Sequence, residues 1–351
     1  LVFSYTVGAG QNTVDLAPAA TNALALNGAT ISDAAGNAAV LTAANGYNPA
    51  GTLQVNPTTP RAVQTVVVSG WWNTYDLGSG TFAISGTAGG ARITTGDGDQ
   101  TVTITGTNNQ LQTGNGNQTI TFNGNNNTVT TGAGSSTIIL NGGYETVSVG
   151  TTPSGTTTIS ATGFGEVITS TGPGNITFSG STGNSTVHLA DGDHIVTLGG
   201  SGNTVTVGVG TSIIRAGIGQ AIVHAGGGSD TIYVSGWNNL LDAGAGMNFL
   251  HGGRGNDTFV LNGAGQGLDT IWGFSTTNSD KLDLTRTLAN VASQVDLTNV
   301  GSYITASTSG GNTTLYVDPT GGHGTPYAFA LLEGVSATVQ QLVGHGSLIV
   351  P

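Results

Sequence analysis

The chain contains no cysteine, one methionine and one lysine, Lys281, and only 7% of its 351 residues are charged. Without cysteine there are no disulfides and no thiolate metal sites, and a cysteine-free chain of this length fits an extracellular protein held together by repeats and metal. Lys and Arg number 6 against 18 Asp and Glu. Nothing in that balance neutralises a phosphate backbone, so nucleic acid is removed as a partner and a cation is favoured. No apolar run approaches the ~20 residues that span a bilayer, and no basic, apolar leader opens the chain. Leu1 is not a plausible natural start.

Glycine fills the gap, with 60 residues, alongside Thr, Asn and Ser. Apolar residues alternate with Thr and Asn in short runs, the period of half-buried strands rather than of disorder. Between Thr65 and about Asn262 the pattern recurs roughly every 18 residues in two halves of about nine. Examples are TVTITGTNNQLQTGNGNQ from Thr101, TITFNGNNNTVTTGAGSS from Thr119 and IIRAGIGQAIVHAGGGSD from Ile213. Such a period predicts an all-β parallel solenoid, two short sheets facing across a thin aliphatic core and joined by glycine turns.

In the run from Thr101, Val102 and Ile104 face inward, and Ile120 and Phe122 replace them one period later. On the second strand Leu111, Val129, Val147, Val187, Val205 and Ile222 are expected inward. Extra residues near Thr81, Thr137, Thr157 and Ile176 are assigned to turns. The expected division is residues 1–60, 61–262 for the roll, and 263–351 for a β-rich cap over its open strand edges.

GGRGNDTFV, from Gly252 to Val260, fits Gly-Gly-x-Gly-x-Asp-x-apolar-x without mismatch, and AGGGSDTIY, from Ala225 to Tyr233, fits with Ala first. A glycine turn aims carbonyl oxygens at one point and the Asp adds an anionic one, part of the shell of a hard cation. The candidate Ca2+ ligands are Asp230, Asp257 and Asp269 with carbonyls of Gly226, Gly228, Gly244, Gly246, Gly253 and Gly255, holding one to three ions. The sixth place is neutral elsewhere: Gln100, Gln118, Ser136, His194, Ser212 and Asn248 on one edge, and Gln110, Thr128, Thr146, Thr204, Ala221 and Leu240 on the other. Those coils are expected to be calcium-free, with hydrogen-bonded ladders instead. Asp97, Asp99, Asp191 and Asp193 fall at the third and fifth places and are read as solvent-facing.

These nonapeptides resemble the RTX (repeats-in-toxin) calcium β-roll, whose coil is two nonapeptides. NDTFVL, LDTIWGF, DKLDL, NTTLYVD and the final apolar run resemble, in order, the type I secretion target domain that follows such rolls. That resemblance implies an uncleaved export signal, a type I secretion apparatus as transient partner, and passage out of a Gram-negative cell. Asp269, Asp280 and Asp283 would hold a further ion there or serve as helix or strand caps. FSYTVGAGQNTVDLA and LNGATISDAAGNAA resemble part of the Ig-like repeats of giant bacterial surface proteins, which implies that the chain is the C-terminal piece of something longer, and NPTTP from Asn56 reads as a linker.

No catalytic constellation is assigned, and the chain is expected not to be an enzyme. There is no HExxH, and His188 and Asp242 are three coils apart. Glu145 and Glu166 lie one coil apart beside aromatics, the shape of a glycosidase pair, but without a basic neighbour or a cleft. Trp71, Trp72 and Trp237 occupy related turns near opposite ends of the roll. They would contact carbohydrate or close the ends of the core, and the second reading is adopted. Outward Thr103, Thr121, Thr177 and Thr197 invite comparison with ice-binding solenoids, but Ile139, Arg215 and Tyr233 interrupt them and β-propensity explains the threonine.

The expected function is that of a non-catalytic surface or matrix protein, the C-terminal region of a type I-secreted RTX adhesin or surface-layer-like protein, folding with calcium after export. The alternatives are a carbohydrate-binding appendage of a polysaccharide-active enzyme and an ice-binding solenoid. Self-association through the low-charge faces and cell-surface polysaccharide are the remaining candidate partners.

Overall fold

The strand Gln100–Thr105 alternates strictly, with Gln100, Val102 and Ile104 buried and the threonines between them exposed. It pairs in parallel with Gln118–Asn123, so that Val102 lies beside Ile120 and Ile104 beside Phe122. Repetition of that pairing builds the molecule. The computed structural model describes residues 63–351 except residue 243 and residues 264–266, and the side chains of residues 153 and 154 are likewise not described. A division of the chain falls between Ala62 and Val63. The Ig-like segment assigned to residues 1–60 lies outside the described residues.

Among the described residues, successive strands as far as Lys281–Asp283 alternate between two sheets, one of 15 strands and one of 13. The protein is all-β, a parallel β-solenoid with about 18 residues per coil and almost no helix. Ile84, Val102, Ile120, Ile138 and Ile159 begin one inward column of the larger sheet, and Ile93, Leu111, Val129, Val147 and Ile168 that of the smaller, all buried. Each coil offers only a few aliphatic side chains, so the core becomes continuous only through stacking. The extra residues near Thr157 are absorbed by an irregularity between Thr152 and Thr156 in the long strand Thr152–Ala161.

Ile222 departs from expectation: it is 42% exposed, and Val223 takes the inward place. Val223 pairs with Val205 and Leu241, continuing the column, because a one-residue slip in a strand exchanges its two faces.

The ladder continues beyond residue 262. Asp269–Trp272 pairs with Phe249–His251, and Lys281–Asp283 with Thr258–Val260. Beyond them Tyr327–Glu333 adds in parallel to Asp269–Trp272, and Asn312–Val317 and Ile304–Ser309 follow in antiparallel order. A six-residue helix, Val339–Gly344, opens with a capping box between Thr338 and Gln341 and buries Leu342. Leu348–Ile349 then pairs with Lys281–Asp283 and closes the smaller sheet.

Candidate functional site

The turn-to-strand corners carry polar side chains that point into the protein. On the larger sheet Gln100, Gln118, Ser136, Thr157, His194, Ser212, Asp230, Asn248 and Asp269 are buried in one column. On the smaller sheet the column runs Asn109, Asn127, Glu145, Glu166, Ser185, Asn203, Asn239, Asp257 and Asp280. In both, a side-chain oxygen or ring nitrogen accepts the backbone N–H of the coil before it, except at Ser136 and Ser185, whose Oγ atoms are buried without a partner among the described residues. The N–H of Gln100 donates to Gln118 Oε1 at 3.0 Å, that of Ser212 to Asp230 Oδ1 at 2.7 Å, and that of Asn109 to Asn127 Oδ1 at 2.9 Å. Buried N–H groups without strand partners are thereby satisfied.

The second column corrects the sequence reading by one residue. Gln110, Thr128, Thr146, Thr204 and Leu240 are not the rungs; Asn109, Asn127, Glu145, Asn203 and Asn239 are. Rung and core residue both point inward and so lie two apart in the strand, with an outward residue between them. Ala221 was placed correctly and has no acceptor to offer.

Amide rungs use both ends. Asn109 Nδ2 donates to Ala88 O at 3.0 Å, and Asn127 Nδ2 to Gly106 O and Gly124 O at 3.2 and 3.0 Å. Carboxylate rungs have no donor for these turn carbonyls. Glu166 Oε1, Asp230 Oδ2 and Asp257 Oδ2 are buried without a hydrogen-bond partner among the described residues. Burial pushes Glu145, Glu166 and Asp257 each up to about 7, and Asp230 and Asp269 to about 6. Desolvation outweighs the hydrogen bonds that favour the charged forms. Asp280 is raised for the same reason, although its Oδ1 and Oδ2 accept from Asp257 and Ser275 N–H at 2.9 and 2.8 Å.

The nominated calcium ligands lie at two corners. Asp230 and Asp269, with the turns containing Gly226, Gly228, Gly244 and Gly246, belong to the larger sheet's column. Asp257, with Gly253 and Gly255, belongs to the other. Asn248 separates Asp230 from Asp269, whose Oδ1 accepts from Asn248 N and Nδ2 at 3.1 and 2.9 Å. The turn beside Asp257 on the preceding coil holds Asn239, which donates N–H and Nδ2 to Asp257 Oδ1 at 2.9 and 2.8 Å. Among the described residues no three acidic or histidine side chains converge on one point. The residues still fit a hard cation in donor chemistry: each of Asp230 and Asp257 has one buried carboxylate oxygen unpartnered among the described residues, and that of Asp257 lies beside Gly252. Gly228, Gly244, Gly246, Gly253 and Gly255 all have positive φ.

Asp97, Asp99, Asp191 and Asp193 are exposed and accept in the opposite sense, from the coil that follows. The N–H groups of Asn115, Asn117, Val209 and Thr211 donate to them at 2.7 to 2.8 Å. Trp71, Trp72 and Trp237 are 68%, 74% and 59% exposed. They do not close the ends of the core. Trp71 and Trp72 instead lie over Gly89 and Gly90 of the next coil, where a Cβ would meet their rings.

His188 does not meet Asp242; His224 does. His224 Nδ1 lies 3.0 Å from Asp242 Oδ2, and Arg286 Nη1 donates to Asp242 Oδ1 at 2.6 Å. The 18-residue offset from His224 to Asp242 was available as a signal; Arg286, arriving from the cap, was not. On the outer face of the larger sheet Arg215, Tyr233, His251 and Trp272 are in register. The Arg215 guanidinium stands 5.4 Å from the Tyr233 ring centre, and the His251 and Trp272 rings are 4.4 Å apart. Stacked on one another, they form cross-strand pairs.

The chain is similar to a solved structure. That structure is the AlgE6R2 subunit of the Azotobacter vinelandii mannuronan C5-epimerase, 24% identical, with 44% of this chain and 92% of that one covered and a TM-score of 0.28. No family model and no curated protein matches. Among the described residues no helix is long and apolar enough to cross a membrane.

Proposed function

We propose that this chain is a non-catalytic extracellular segment of RTX type, the C-terminal region of a type I-secreted surface or matrix protein, whose last coils fold with calcium after export. The observation that carries the reading is the pair of buried, unpartnered oxygens, Asp230 Oδ2 and Asp257 Oδ2, in the two turns whose sequences fit the calcium nonapeptide. Asp230 and Asp257 would hold the ions, with glycine carbonyls of their turns. A bound Ca2+ supplies the positive charge that the buried carboxylates lack. Because cation binding at a site formed only in the folded state adds to folding free energy, export in low calcium and assembly outside follow from one equilibrium. The test is circular dichroism and thermal melting of the full chain in calcium and in chelator. Calcium should raise the midpoint, and less so in Asp230→Asn and Asp257→Asn, which keep the rung acceptor and drop the charge. An unchanged β signal and midpoint on chelation would overturn the folding role.

The exposure of Trp71, Trp72 and Trp237 favours a second reading, a polysaccharide-binding surface on the same roll. A glycan array probed with the chain and with all three tryptophans changed to alanine tests it: retention of every bound glycan by the variant removes the tryptophans from the reading.

A further inference from the structure

Asn109, Asn127, Glu145 and Glu166 are consecutive rungs of one buried column, and each accepts the backbone N–H of the rung before it. The first two are amides, and the Nδ2 of each is aimed at turn carbonyls, Ala88 O for one and Gly106 O and Gly124 O for the other. By register, Gly142 and Gly163 continue that carbonyl column beside the two glutamates, and Gly163 O also accepts from Thr182 Oγ1, which leaves it one lone pair. The rung that carries an amide in two coils carries a carboxylate in the next two, with no Nδ2 to offer the turn carbonyls. Glu145 is accounted for, since its Oε2 and Oε1 accept from Asn127 N and Nδ2 at 2.8 and 3.3 Å. Glu166 is not: Oε2 accepts from Glu145 N–H at 2.9 Å, while Oε1 is buried and unpartnered among the described residues, in a residue with 0% exposure.

Both carboxylates are fully buried, and no internal charge balances them. The sequence contains no Lys or Arg between Arg92 and Arg215, and in a solenoid a residue's neighbours come from adjacent coils only. Neither glutamate has an ion-pair partner among the described residues. Two buried carboxylates must be neutralised, by protons or by a cation from outside. A divalent cation supplies both charges and takes carbonyl oxygens as further ligands, whereas one proton neutralises only one carboxylate.

We propose that Glu145 and Glu166, with the turn carbonyls of Gly142 and Gly163, form a binding site for a hard divalent cation in the middle of the roll. The site lies outside the nonapeptide motif, five coils from Asp257 in the same column, and goes beyond the function proposed above. Asn→Glu replacement at two successive rungs exchanges a self-sufficient amide corner for one completed by a metal ion. Tyr144 and Phe164 flank it, packed edge to face with ring centres 6.0 Å apart, and the Tyr144 ring lies against Gly165.

The tyrosine makes the site readable. Terbium(III), a luminescent substitute for calcium, is titrated into the full chain and excited through tyrosine, with calcium as competitor. Glu166→Gln is the first variant, since glutamine already serves as a rung at Gln100 and Gln118; Glu145→Gln and Tyr144→Phe follow. Expected are a calcium-displaceable signal that falls in Tyr144→Phe, about tenfold weaker binding in Glu166→Gln, and retention of this component in Asp230→Asn and Asp257→Asn. Loss only in the aspartate variants overturns this site and leaves the other reading standing. An equal calcium-induced rise in melting midpoint in wild type and Glu166→Gln, together with higher stability of the variant in chelator, also overturns it and assigns the pair a proton instead.

Discussion

The N–H of Glu145 donates to Oε2 of Glu166 at 2.9 Å, so two buried carboxylates are joined through the backbone of one of them. Both are pushed from 4.5 up to about 7 by burial. In chelator the native state therefore keeps protons that the unfolded chain has released. Stability from this pair is fully present below about pH 4.5, declines as pH rises, and is lost above about pH 7. Melts across that range should show the midpoint falling, and Glu145→Gln with Glu166→Gln should flatten the curve and raise the midpoint at the alkaline end by a few degrees.

Phe122 fills the core between two coils and is completely buried. Phe122→Ala should cost about 3 to 5 kcal/mol. Hydrogen exchange should show the loss of protection concentrated in the strands from Gln100 to Leu140, because a solenoid couples nearest neighbours most strongly. Uniform loss from Gln64 to Asp283 would contradict that.

Asn108, Asn126, Tyr144, Asn184, Gln220, Asn238 and Trp72 all have φ between 53° and 61°, in the same corner of their coils, where Gly90, Gly165 and Gly202 stand in others. Asparagine tolerates this left-handed conformation and a large ring does not. Trp72→Gly should stabilise the chain by about 1 kcal/mol in denaturant titration, whereas Asn126→Gly should change little. A destabilised Trp72→Gly would mean that ring contact with Gly90 outweighs the backbone strain.

Arg286 reaches from the C-terminal cap to Asp242, a buried carboxylate on the smaller sheet, and Thr287 Oγ1 beside it donates to Leu261 O at 2.9 Å. Arg286→Ala leaves Asp242 with His224 and Gly244 as partners. The expected cost is about 1 to 3 kcal/mol, with faster limited proteolysis between Leu284 and Val300. Unchanged cleavage would remove the latch role.

The solenoid was legible because its period repeats in the sequence, and the larger sheet's rungs because Gln100 and Gln118 stand next to long alternating strands. The other column was misread because its strands span only three or four residues, as in Gln110–Gln112, too few for alternation to fix the inward face. Glu145 and Glu166 were seen as neighbours, but placing them on the smaller sheet's buried ladder needed its register. The Asp242 cluster joins residues from two coils and the cap, and no repeat encodes Arg286. Asp230 and Asp257 were picked out by their motif; that they occupy different corners follows only from the pairing of strands.

The inward rungs bond to the coil before, and the exposed turn residues to the coil after. Most coils therefore carry the same two half-joints, one facing each way. Removing or duplicating one whole coil leaves matching joints on both sides of the seam, whereas a change of a few residues leaves a mismatch unless a turn absorbs it. Length in this solenoid is a quantised trait: in-frame gain or loss of a coil-sized stretch of gene can shorten or extend the stack of coils in single steps without redesigning its described C-terminal cap.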